Sequence, residues 1–179
     1  QRMVEECGRP WEERVAESDM RFAEANREQR ERSEKVTKTP HLTNLNEDPQ
    51  LSGMVTYFLD GEPGETGEIP ITVGTSEAEP QPTIVLGGLA VVRDHSVIYV
   101  NPAENIATIM AKPGARVLVN GKALAAGEKR QIHHHDTVLF GAAQLYAFIF
   151  PQEARRNGIA DPTPTYELGQ DLIMTEQGY

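Results

Sequence analysis

Three adjacent histidines and an aspartate, His133-His134-His135-Asp136, are the densest group of potential metal ligands in the chain. A further histidine, His95, sits between two apolar runs in the stretch LGGLAVVRDHSVIYV, Leu86 to Val100. Imidazole nitrogens and carboxylates are what a zinc site uses. Side chains alternate in direction along a strand, however, so three consecutive histidines cannot all face one ion. The tract therefore reads as a turn before an apolar strand at Thr137–Phe140, and no metal ligand set is assigned. The single thiol, Cys7, has no histidine near it in sequence, so an activated nucleophile is not expected there. There is no Gly-rich phosphate loop of the GxxxxGK[ST] kind, no CxxC pair and no HExxH. The carboxylates are scattered through turn-like segments rather than paired. Catalysis by this segment is not expected, nor is a cofactor. His95 is left as a ligand, a base or a buried structural group.

Bulk properties narrow the class. The chain has 179 residues, enough for one core with appendages, and 39% hydrophobic with 25% charged residues is an ordinary globular mixture. No apolar run approaches the roughly 20 residues of a membrane helix, and the start has no signal-peptide pattern. One cysteine permits no internal disulfide, which fits a reducing, cytoplasmic setting. The first residue is Gln, so a piece of a longer protein is expected. A net charge of −10 repels phosphate backbones and argues against nucleic-acid binding.

Four regions follow along the chain. Residues 9–37 read as a helix: Pro10 suits the first turn, and Glu17/Arg21, Glu28/Arg32 and Glu31/Lys35 stand at i,i+4 with the acid first. Trp11, Val15, Ser18, Phe22, Ala25, Gln29, Arg32 and Val36 alternate at spacings of four and three, a coiled-coil seam that is apolar only in its first half. The seam either pairs with another chain or docks on its own domain. Trp11, Val15, Phe22 and Ala25 are the expected anchors in both cases. Residues 38–52, with Pro40 ending the helix, read as a linker.

Residues 53–152 read as β throughout. Short apolar runs at Met54–Leu59, Ile69–Val73, Thr83–Leu86, Leu89–Val92, Val97–Val100, Ile106–Met110, Arg116–Val119, Thr137–Phe140 and Leu145–Phe150 are bounded by turn residues. Such spacing predicts a β-sandwich or closed barrel. Asn120-Gly121 is the sharpest hairpin signal, since both positions tolerate positive φ. Residues 153–179 read as a linker with Asp161-Pro162-Thr163-Pro164, then the start of a further helix near Tyr166.

The pattern Ile71–Gly74, then Val92-Arg93-Asp94-His95, then Val119-Asn120-Gly121, then HHHDTVLFG, resembles a forkhead-associated (FHA) domain. Lys38 to Gly53 (KTPHLTNLNEDPQLSG) resembles the lead-in to the FHA domain of the kinesin-three family. Trp11-Glu12-Glu13 is similar to the start of the short coiled coil that precedes it there. Phe148 to Arg155 and Gly169 to Gly178 resemble the exit and the next helix. The resemblance implies a mainly β, FHA-type sandwich of about eleven strands behind a helical coiled-coil segment. Gly74, His95, Asn120 and Gly121 would be its structural positions, with the histidine bonded to neighbouring loops.

It further implies a non-catalytic regulatory segment of a microtubule motor. Self-association and autoregulation would run through the helix, and cargo adaptors would be its partners. Microtubules would be met only through a motor domain outside this segment, and neither nucleic acid nor membrane insertion is implied. The family also reads phosphothreonine peptides, and that is the alternative function. Here Thr75 stands where the phosphate-binding arginine is expected, and Val92 stands where a serine is expected. Arg93, Lys112 and Arg116 are the cations left at these loops. Losing a charged hydrogen bond costs roughly 1.5–3 kcal/mol, one to two decades of affinity, so a phosphate site built on these positions is a poor one.

Overall fold

The computed structural model describes the backbone of residues 2–158 and 163–176, and side chains over 14–156, at 158 and over 163–175. It contains two compact units, one up to residue 38 and one from residue 39 onward. The first is a single helix, α1 (Arg2–Lys38), of 37 residues. At about 1.5 Å per residue it is roughly 55 Å long. Its C-terminal turn carries Lys35 and Lys38, which oppose the negative end of the helix dipole. Arg27 and Glu31 pair across one turn at 3.7 Å, in solvent.

The second unit is a sandwich of eleven strands: β1 (His41–Asn44), β2 (Thr56–Phe58), β3 (Ile69–Gly74), β4 (Ile84–Val85), β5 (Asp94–Asn101), β6 (Ile106–Ala111), β7 (Val117–Val119), β8 (Lys122–Ala123), β9 (Lys129–Ile132), β10 (Thr137–Phe140) and β11 (Gln144–Ile149). One sheet runs β2-β1-β11-β10-β7-β8 and the other β4-β3-β5-β6-β9. Every pairing is antiparallel except β3 with β4. Leu42, Ile71, Ile98, Ile109, Val138, Phe140 and Phe148 fill the space between the sheets.

The expected sandwich is present, with corrections. The stretch 38–52, read as a linker, contributes β1 to the middle of a sheet, where its register pairs His41 with Ile149 and Asn44 with Tyr146. Its apolar content is a single leucine, so its strand character comes from the partners on both sides. Leu89–Val92, read as a strand, is a turn: Gly88 and Ala90 both have positive φ, Val91 N–H bonds back to the Gly88 carbonyl, and Leu89 is exposed. The short β8 and β9 carry Lys122, Lys129 and Arg130, and no apolar pattern marks them. Arg130 donates to the carbonyls of Lys122 and Ala123, so it ties the edge of one sheet to the edge of the other.

The C-terminal stretch, read as a linker and the start of a further helix, contains two helices. In α2 (Pro151–Asn157), Pro151 occupies the first turn and Gly158 closes the other end with left-handed φ. In α3 (Tyr166–Glu176), Thr165 Oγ1 accepts the N–H of Leu168 at the start. Tyr166 and Ile173 pack on Leu45, Leu118, Leu139, Leu145 and Ala147, the outer face of the first sheet. That explains why β7 and β10 are buried at every position. Val117, Val119, Val138 and Phe140 face the core, while Leu118 and Leu139 face α3. Among the described residues no helix is long and apolar enough to cross a membrane.

Gly121 stands directly beneath α3. A Cβ there would collide with the Leu172 carbonyl, and its φ of 83° already disfavours any side chain. Gly121→Ala should therefore lower the urea midpoint by an amount worth about 2 kcal/mol or more. In a chain ended before α3 the same substitution should cost only the φ penalty, about 1 kcal/mol. Equal losses in the two chains would show that α3 does not press on this turn.

Candidate functional site

The end of the sandwich where β3 meets β5 holds most of the residues singled out from sequence. Register steps from Val73↔Ser96 to Gly74↔Asp94, leaving His95 as the extra residue of a β-bulge. A bulge re-aims the side chain it carries, and here the imidazole turns inward and is fully buried. Nε2 lies 2.9 Å from the Arg116 carbonyl, to which it donates, and Nδ1 accepts the N–H of Val92 at 3.2 Å. The ring meets Phe140 edge-on at 5.9 Å. With one nitrogen donating and the other accepting, the imidazole is neutral, and its burial holds its pKa below the usual histidine value. His95 thus bridges the β4–β5 and β6–β7 loops.

The backbone around this pin draws the loops together. Lys112 N–H donates to the His95 carbonyl, Gly141 N–H donates to Arg116, and Thr75 N–H donates to Arg93. Gly74 lets the chains approach, because a Cβ there would strike the Arg93 carbonyl. Thr75, Val92, Arg93, Lys112 and Arg116 therefore stand on loops bonded to one another. Their side chains do different things. Arg93 is exposed and pairs with Glu77 of the β3–β4 loop at 3.7 Å. Lys112 lines a recess of about 80 Å³ with Thr72, Pro80, Pro82, Asp94 and Ser96, and neither arginine lines it. Arg116 is exposed.

Asn120 and Gly121 lie at the other end of β7. Both have positive φ and form the two-residue turn into β8. Asn120 Oδ1 accepts from Thr137 N–H at 2.9 Å, and its Nδ2 donates to Asp136 at 3.0 Å. The tertiary structure so separates this structural pair from the loops around His95.

The histidine tract forms the turn expected of it. His133 N–H donates to Asp136 Oδ2, and His135 takes a positive φ of 71°. His134 Nδ1 accepts the Phe150 N–H at 2.9 Å, and its ring stacks on His135 at 3.8 Å. Burial lowers the pKa of His134, and the neighbouring His135 and His41 lower it further. His41 is also lowered by burial, against a hydrogen bond to the Thr39 carbonyl that raises it. Among the described residues no group of three or more histidine, cysteine and acidic side chains is arranged to hold a metal. Of the helix anchors, Val15, Phe22 and Ala25 are exposed, while the side chain of Trp11 lies outside the described residues.

The sequence missed Glu77, since a lone acid in a turn carries no motif. It also missed β1, which with the start of α3 walls a cleft of about 310 Å³ lined by Asn44, Leu45, Pro49, Pro164 and Tyr166.

His95, His41 and His134 all have folded-state pKa values below that of the unfolded chain, so the unfolded state binds more protons at mildly acidic pH. Their contribution is fully present above about pH 6.5 and is lost as pH falls towards the folded values. Urea midpoints should therefore fall from pH 7 to pH 5, and His95→Asn should flatten that slope by up to about one proton. His95→Ala, which leaves the Val92 N–H buried without its acceptor, should cost about 2–3 kcal/mol at pH 7.5. An unchanged slope in His95→Asn would refute this protonation account.

Comparison with known proteins agrees with this geometry. Kinesin-like protein unc-104 of Caenorhabditis elegans is 33% identical over 146 residues, covering 79% of this chain and 8% of the relative. Kinesin-like protein KIF1A of Rattus norvegicus is 29% identical, with the same coverage. Kinesin-like protein KIF14 of Mus musculus is 28% identical and is matched by 99% of the chain, which is 11% of its own length. The chain thus spans about a tenth of the length of these relatives. No protein-family model matches it. Among solved structures, the N-terminal FHA domain of S. cerevisiae Rad53p, in complex with a phosphothreonine peptide, superposes with a TM-score of 0.52 at 9% identity. That match covers 66% of this chain and 98% of that one. Full-length yeast Pml1p gives 0.50 at 13% identity, over 62% and 81% of the two chains. At such identities the likeness concerns the fold alone. Over most of its length the chain is similar to kinesin-like proteins of the kinesin-three family, and its β-sandwich has the forkhead-associated fold.

Proposed function

We propose that this chain is a regulatory and protein-interaction segment of a microtubule motor, non-catalytic in itself, in which α1 controls self-association and the sandwich receives cargo adaptors. The observation that carries the proposal is the unpartnered apolar stripe of α1. Phe22 is 70% exposed, and Val15 and Val36 of the same seam are also open to solvent, on a helix rich in charged residues. Large apolar residues of this kind dominate interface energies when they are covered. A seam with apolar residues only in its first half dimerises weakly by itself, because short helices are marginal in water. The short connection at Thr39-Pro40 keeps the sandwich at high effective concentration beside the helix, so a modest contact can bias a closed monomer or an open dimer. Motor activity, ATP hydrolysis and microtubule attachment belong, on this reading, to other parts of the whole protein, which would place it on the cytoskeleton.

A second reading, phosphothreonine-peptide recognition, has one observation in its favour. The loops bonded around His95 bring Arg93, Lys112 and Arg116 to one end of the sandwich. Thr75 and Val92 supply neither the guanidinium nor the hydroxyl that a phosphate group would use there.

Sedimentation mass across a dilution series tests the first reading. Residues 1–179 should form a dimer that dissociates on dilution, and a chain beginning at Thr39 should remain a monomer. Trp11→Ala with Phe22→Ala should shift the dissociation midpoint upward at least tenfold. Monomers throughout, with a lower melting temperature in the double variant, would mean instead that the stripe docks on its own domain.

A further inference from the structure

The β3–β4 loop carries a carboxylate at the place where a phosphate reader needs an unoccupied cation. Glu77 Oε2 stands 3.7 Å from the Arg93 guanidinium, and both side chains are mostly exposed. The two loops are fastened so that the pair is held in register. Thr75 N–H donates to the Arg93 carbonyl, Ala78 N–H donates to the Thr75 carbonyl, and the buried Ala78 anchors the turn on either side of which Glu77 and Glu79 project. Asp94, next to Arg93, is exposed as well.

We infer that Glu77 is a specificity-determining residue, an internal carboxylate that pairs with Arg93 and disfavours doubly charged phosphate ligands at this end of the sandwich. The inference rests on one part of the second reading, that these loops form a peptide-docking end, and turns that end's preference against phosphate. A phosphothreonine that reached Arg93 would have to separate the guanidinium from Glu77 and then remain beside the displaced carboxylate. The first cost is small, because an exposed ion pair contributes little. The second is a like-charge repulsion between a dianion and an anion a few ångströms apart, which solvent and salt weaken but do not abolish. Together they amount to about a three- to tenfold loss of affinity. A neutral or hydroxyl-bearing ligand pays neither, so the same loops can dock an unphosphorylated segment.

The test compares residues 1–179 with Glu77→Gln, Arg93→Ala and the double variant, by amide chemical-shift titration at Thr75, Val92 and Lys112. The probes are an alanine-flanked phosphothreonine peptide, its unphosphorylated twin and inorganic phosphate. Glu77→Gln should tighten the phosphopeptide and inorganic phosphate by about three- to tenfold at low salt and leave the twin unchanged. Adding Arg93→Ala should cancel the gain. Glu77→Ala, checked for an unchanged melting temperature, should behave like Glu77→Gln. If Glu77→Gln matches the parent while Arg93→Ala weakens phosphopeptide binding, the inference is overturned and the docking end stands. If no variant binds any probe, both the inference and the phosphopeptide reading fall.

Discussion

The neutral, buried imidazole of His95 is the constraint on which the rest of the sandwich end depends. One ring holds the β4–β5 loop by the Val92 N–H and the β6–β7 loop by the Arg116 carbonyl. The backbone carbonyl of the same residue holds Lys112. It can do so only because a bulge turns the side chain inward, and the bulge is possible only because Gly74 lets β3 run against the Arg93 carbonyl. A charged imidazole would offer no acceptor to Val92 and would be buried against Phe140. The ring is therefore structural, and its chemistry is that of a two-sided hydrogen-bonding spacer rather than of a base.

The second determinant is the helix that covers the first sheet. Sandwiches usually leave one face of each sheet to solvent, so their strands alternate in polarity. Here Leu118, Leu139, Leu145 and Ala147 face outward and are buried under α3. Gly169 meets Leu145 and Gly121 meets the Leu172 backbone, so two positions without side chains set the distance between helix and sheet. The folded domain therefore extends past the last strand.

Acidic groups outnumber basic ones along the sandwich. Between residues 40 and 151 there are six Lys and Arg against twelve Asp and Glu. The guanidinium on the β4–β5 loop faces a carboxylate of its own chain. Loops fixed by backbone bonds to a rigid pin make a preorganised surface, and preorganisation lowers the cost of docking whatever the ligand's charge.

Much of this was legible in the sequence. Hydrophobic runs separated by Gly, Pro and Asn turns marked eight of the eleven strands, because alternation and turn chemistry are local properties. The Asn120-Gly121 turn, the histidine turn before β10 and the helices at both ends follow for the same reason. What no local pattern held were β1, whose polar residues form a strand only between β2 and β11, and the turn at Leu89–Val92, where positive φ at Gly88 and Ala90 overrides strand propensity. The inward turn of His95 and the approach of Glu77 to Arg93 likewise arise between segments far apart in the chain. The sequence by itself determined most of the strands, the Asn120-Gly121 turn and the helix ahead of the sandwich. Only the tertiary structure decided which residues meet, because register, bulge and loop contact are set by the packing of whole sheets.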